Sequence, residues 1–219
     1  MEPRNHYDIT GLSFEEFVAF LFARSVPSQA EPRDPWYWNV DVAFDRERVC
    51  QYYVRLFRGP SFLLEQFSKE QLEQGFWAIQ SCNLDCSVSQ LIWDVDLRFA
   101  AREECVRSML DLFKQLFAAE PLETSVQMWW DSLCYDWHCG NRNRERGGED
   151  ASMQDVMFQV LSSILALDSP TCQGAALHGL GHLHHPGTEN LVREYLKERP
   201  SLSDDWKAYA LAAARFEVM

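Results

Sequence analysis

With 219 residues, 47% of them apolar and 13% aromatic, and eight tryptophans, the chain carries enough apolar mass for a large packed core, which excludes a disordered protein. Thirty-three acidic against twenty basic side chains leave a net charge of −13, the wrong sign for holding nucleic acid through its phosphates. The longest apolar runs, such as FVAFLFA at 17–23, fall far short of the ~20 residues that cross a bilayer, so no membrane partner is expected.

In chain order, the opening MEPRNHYD shows no basic region leading into an apolar stretch and a small-residue cleavage site. The expectation is a cytoplasmic protein without a signal peptide. LSFEEFVAFLFA then predicts a helix capped by Ser13, with Glu16 closing a capping box and Leu12 and Phe17 placed as a hydrophobic staple. Pro27, Pro32 and Pro35 forbid regular structure over 25–39, and Trp36, Tyr37 and Trp38 are expected to anchor that loop. After Asp45 a helix buries Val49, Tyr52, Tyr53, Leu56 and Phe57, and Gly59-Pro60 stops it. Ser68 and Gln71 form the box of the next helix. Val88, Leu91, Ile92, Val95 and Phe99, then Val106, Met109, Leu110, Phe113, Leu116 and Phe117, continue at spacings of three and four. Asp94 and Asp96 are read on different sides of a helix, as a solvated face. No convincing alternation of period two occurs, so the predicted class is all-α, a single domain over 1–219.

Farther along come a Trp-rich helix around VQMWWDSLCYDW, a flexible loop at 139–150 carrying Gly147-Gly148, and a helix MQDVMFQVLSSILAL. Pro170 opens a helix read over 171–185, Pro186-Gly187 closes it, and TENLVREYLKER and DDWKAYALAAARFEV make two more. Ala176-Leu177 recurs as Ala210-Leu211 at an offset of 34, the period of a two-helix repeat. AALHGLGHL, a turn and an LVREYL helix together resemble a HEAT or armadillo-type repeat over 170–219. Upstream, QGFWAIQ shares only its leading Gln-Gly with QGAALHG. The resemblance implies stacked antiparallel helix pairs in an α-α superhelix, irregular in the N-terminal half, whose usual role is binding other proteins.

The stretch GAALHGLGHLHHPG at 174–187 holds four of the six histidines. On a helical wheel Ala176, Leu180 and Leu183 form one stripe, with Leu177 and His184 at its edge, while His178, His182 and His185 share the opposite face. Imidazoles four apart suit zinc or another divalent transition metal, and a metal-dependent enzyme using that face is the alternative function. The helix contains no carboxylate, however: Gly179 stands where the HExxH arrangement has Glu, and Glu189 follows the turn. The plainer account needs no cofactor. The leucine stripe is core, at roughly 1.5–3 kcal/mol per buried leucine, and the histidines line a solvated or inter-helix face that the glycines let a neighbour approach.

CNLDC at 82–86 and CYDWHC at 134–139 offer Cys82, Cys86, Cys134, Cys139 and His138, but neither is a Cys-x-x-Cys knuckle. Seven cysteines, an odd number, read as reduced thiols. Cys172 lies too far round the helix from His178 to be a nucleophile paired with a base. No phosphate loop, nucleophile elbow or dinucleotide fingerprint is present. Trp129 and Trp130 point about 100° apart on one helix, so either one of them, or Trp137, faces a protein partner, or two packed layers bury both faces of an inner helix. If Phe216 and Val218 are left uncovered, they are contacts of a homodimer. The resulting expectation is a non-catalytic helical-repeat module that binds a protein, of an acidic inhibitor, immunity or scaffold kind. A basic partner is electrostatically the easier one.

Overall fold

The computed structural model describes residues 4–26 and 34–218, and the chain divides into two compact units, residues 1–125 and 126–219. Both are mostly helical, as the spacing predicts. Pro27 and Pro32 lie outside the described residues.

The first unit runs β1 (Asn5–Asp8), α1 (Phe14–Phe22), β2 (Val40–Ala43), α2 (Arg46–Arg58), α3 (Leu63–Gln66), α4 (Lys69–Gln80), α5 (Val88–Leu91) and α6 (Phe99–Leu112), which continues into a π-helical turn at Phe113–Phe117. The strands are a departure from the sequence reading. They pair in parallel, from Asn5 opposite Val40 to Asp8 opposite Ala43, and at four residues each are too short for alternation to stand out. Both capping boxes are present: Ser13 Oγ accepts from Glu16 N while Glu16 Oε2 accepts from Ser13 N, and Ser68 and Gln71 repeat the exchange. Rings fill the core, with Phe76 5.1 Å from Phe22 and 4.9 Å from Phe117. A Cβ on Gly75 would overlap the Phe22 ring, so α1 and α4 approach as closely as they do only because residue 75 has no side chain.

Three local expectations are corrected in this unit. Trp36 packs on Phe20 at 5.3 Å beneath the Arg24 guanidinium and Tyr37 is buried, but Trp38 is 48% exposed and anchors nothing. Val95 is 81% exposed, because residues 93–97 form turns rather than helix. In those turns Asp94 and Asp96 do not diverge. Both grip Arg46, at 3.1 and 2.5 Å. The half-buried Glu73 on α4 gathers a dense set of donors. Its carboxylate accepts from the backbone N–H groups of Glu123, Thr124 and Ser125, from both hydroxyls of Thr124 and Ser125, and from the Trp77 indole, all at 2.8–3.1 Å. Burial alone would raise its pKa, but these donors outweigh it and hold the carboxyl below its ordinary value.

The second unit runs α7 (Trp129–His138), α8 (Gly148–Leu165), α9 (Pro170–Leu183), α10 (Thr188–Glu198) and α11 (Asp204–Ala214). Ser169 caps α9 and Pro170 occupies its first turn, where a missing N–H costs nothing. Every residue of α9 from Cys172 to Leu183 is buried, with α7, α8 and α11 packed around it. Glycine makes this enclosure possible. A Cβ on Gly179 would strike Trp130 and Leu161, and one on Gly181 would strike Val218.

Trp129 and Trp130 are fully buried and Trp137 is 4% exposed, so none is a surface anchor. The buried face of α7, from Trp129 through Leu133 and Trp137 to Cys134, spans about 140° of the helix and takes in both adjacent tryptophans. Phe216 and Val218 are likewise not left open. Val218 is buried on Gly181, and Phe216, partly buried, stacks on His184 at 4.5 Å. The expected loop at 139–150 ends at Gly147, and ion pairs from Arg142 to Asp136 and Asp150 and from Arg144 to Asp155 tie it to α7 and α8.

Candidate metal centre

The site begins with two periodicities. On α9, His178 and His182 are one turn apart and emerge on the same side. On α7, Asp131, Tyr135 and His138 stand at i, i+4 and i+7, again one line along one face. Packing α7 on α9 sets these lines against each other. His182 Nε2 lies 3.0 Å from Asp131 Oδ1 and 3.2 Å from His178 Nε2, and His178 Nε2 lies 3.9 Å from the same oxygen. A point equidistant from three atoms with these separations lies about 2.0 Å from each, which is the bond length of zinc to imidazole nitrogen or carboxylate oxygen. Among the described residues this is the one group of three or more His, Cys, Asp or Glu side chains that converges in this way.

The hydrogen bonding around the trio is incomplete. His182 Nε2 lies within hydrogen-bond reach of both Asp131 Oδ1 and His178 Nε2, and one ring nitrogen cannot serve both well. His182 Nδ1 is buried and has no hydrogen-bond partner. His178 is better supported: its Nδ1 lies 3.1 Å from the Tyr209 hydroxyl of α11, which also accepts from Gln127 Nε2 at 3.3 Å. A hydrogen bond on the far nitrogen fixes ring orientation and tautomer in metal-bound histidines. The protonation states suit ligation. The His182 hydrogen bond holds the Asp131 carboxyl below its ordinary value against the opposing effect of burial. Burial, reinforced by the neighbouring His182 and opposed by Asp131, holds His178 below the usual imidazole value. Both side chains of the histidines are 4% exposed and that of Asp131 is 28% exposed.

At the solvent end of the same interface His138 stands edge-on to His182, ring centres 4.9 Å apart, with the half-exposed Tyr135 stacked on it at 5.8 Å. His138 Nδ1 lies 3.3 Å from His184 Nε2.

Of the three histidines read onto one face, the structure brings His178 and His182 together and separates His185. The wheel carried the helix to residue 185, but α9 ends at Leu183 and His184 takes a left-handed conformation, φ 54°. The chain therefore turns, and His185 joins α8, with Nε2 3.0 Å from Asp155 Oδ1 and its ring stacked 3.9 Å from Phe158. Asp131, the carboxylate missing from the helix, was overlooked because it sits on α7; the polar line Asp131, Tyr135, His138 through an otherwise aromatic helix was its signal. The cysteines make no centre of their own. No disulfide joins any of the seven, Cys82 and Cys86 belong to the first unit, Cys134 and Cys139 to the second, and burial pushes the thiols of Cys86, Cys134 and Cys172 up. No known protein family, curated protein or solved structure matches the chain.

Proposed function

We propose that the second unit is a metal-binding module that holds one divalent transition metal on His178 Nε2, His182 Nε2 and Asp131 Oδ1, and that the ion serves metal-assisted hydrolysis. The convergence of these three atoms on a point at bonding distance carries the reading. Two imidazoles and a carboxylate suit zinc, and also the iron(II) of a facial triad. The enclosure of α9 on its other sides favours the lower coordination number of zinc. Three protein ligands leave a tetrahedral ion one position for water, whose pKa the ion lowers towards neutrality. That position would face the Tyr135 and His138 end, where the interface meets solvent. Elemental analysis of untagged protein, with and without reconstitution in zinc, tests the reading. About one ion per chain, lost in His178→Ala, is expected; well below one after reconstitution overturns it.

A HEAT-like, protein-binding role ranks second. The packing of α11 on both α9 and α10 supports it, and the charge of −13 favours a basic partner. The burial of Trp129, Trp130 and Trp137 takes away the anchors on which it drew. A salt-sensitive, stoichiometric complex between the zinc-free chain and a basic protein would reverse the order.

A further inference from the structure

The α7–α9 interface has a second rung. Asp131 on α7 meets His178 and His182 on α9; two turns along α7, His138 meets His184, just past the end of α9. We propose that His138 Nδ1 and His184 Nε2 form a second, weaker transition-metal position at the solvent end of this interface. It rests on reading the interface as metal-binding. Its own support comes from three observations.

The first is spacing. Two nitrogens bonded at 2.0–2.1 Å to a tetrahedral ion stand about 3.3 Å apart. The His138–His184 pair stands at 3.3 Å, and the inner pair at 3.2 Å. The second is backbone conformation. Among the described residues only His184 and Phe216 have positive φ without being glycine, at 54° and 61°. A left-handed helix end ordinarily takes Gly or Asn. Here the position carries an imidazole, and that conformation turns it towards His138. The third is support for the ring. Phe216, the other left-handed residue, stacks on His184 at 4.5 Å and 23°, so two unusual backbone conformations are joined through one ring contact beside the pair. Strained positions that converge on one side chain point to a role for it.

The position differs from the inner one in ways that set its affinity. It has two protein ligands rather than three and no carboxylate. His138 is exposed and His184 only partly buried, so water completes the coordination sphere. Binding at least tenfold weaker than at the inner trio is expected. His138 also touches the His182 ring, so the two positions are adjacent along the interface.

The test is zinc titration of untagged, metal-stripped protein by calorimetry and by competition with a chromogenic chelator. Three variants accompany it: His138→Ala, His184→Asn and His178→Ala, each checked for helicity by circular dichroism. Asparagine at 184 keeps a residue that accepts the left-handed backbone while removing the imidazole. The expected result is one tight and one weaker ion in the parent chain, with the weaker ion lost in His138→Ala and His184→Asn and the tight one retained. A parent chain that binds a single ion, abolished by His178→Ala, overturns the outer position and leaves the inner reading standing. A second ion that survives both His138→Ala and His184→Asn also overturns it. A single weak ion that survives His178→Ala but not His184→Asn sinks the inner reading and supports the outer position. A chain that binds no zinc overturns both.

Discussion

Glu73 in the first unit and Asp131 in the second are both half-buried carboxylates at a helix surface, and they are used in opposite ways. Glu73 in the first unit is surrounded by donors, three backbone N–H groups, two hydroxyls and an indole, and no valence is left for anything else. Asp131 in the second unit faces two imidazole nitrogens that are themselves Lewis bases, beside a His182 Nδ1 with no partner. A saturated carboxylate is a fastener, whereas Asp131, with its hydrogen bond from His182 and His178 Nε2 3.9 Å away, keeps acceptor capacity that the proposed cation would use. Counting donors against acceptors separates these roles where burial alone does not, because the two groups are buried to similar extents.

Glu73→Ala should produce the largest effect if that contrast holds. It strands the backbone donors of residues 123–125 and should cost about 3 kcal/mol of unfolding free energy in a urea titration, with zinc affinity unchanged. An equal loss of zinc binding would break the comparison. Asp131→Asn should do the reverse: zinc affinity falls about 100-fold or more, while the metal-free chain unfolds within about 1 kcal/mol of the parent. Tyr209→Phe removes the hydroxyl that orients His178 and should weaken zinc about tenfold in the same titration.

The smallest effect is in the pH dependence. Glu73 has a folded pKa below its unfolded value, so its contribution is present above about pH 4.3 and is lost as pH falls through the lower folded value. His185 is held below the ordinary imidazole value, by burial first and by Arg144, against the pull of Asp155. Its contribution is therefore present above about pH 6.5 and is lost as pH falls further. On acidification, near-ultraviolet circular dichroism should show a destabilisation beginning near pH 6 that His185→Gln reduces, and a second below pH 4 that Glu73→Gln reduces. A single transition insensitive to both would show that neither group matters to stability.

What the residues disclose in advance follows the range of the interactions. Ser13 with Glu16 and Ser68 with Gln71 are legible because a capping box is complete within four residues. The pairing of His178 with His182 is legible for the same reason. Asp131 is not, since only the packing of α7 on α9 brings it there. His185 was misplaced by a local event of another kind: a histidine, rather than a glycine, takes the left-handed conformation that ends α9, so nothing in the composition marked the stop. For Trp129 and Trp130 the residues leave two outcomes open, a partner-facing ring or burial of both, and only the packed structure, in which α7 buries a broad arc, decides for burial.

Gly181 carries a consequence for how the molecule would tolerate change. It has no side-chain polar atom, yet the absence of its side chain is the socket in which Val218 sits, two residues beyond the Phe216 that backs the His184 ring. Adding one methyl group there would push Val218 outward and loosen the segment that holds an imidazole in line. The most sensitive position for tuning the outer rung is thus one that any inventory of reactive groups would pass over.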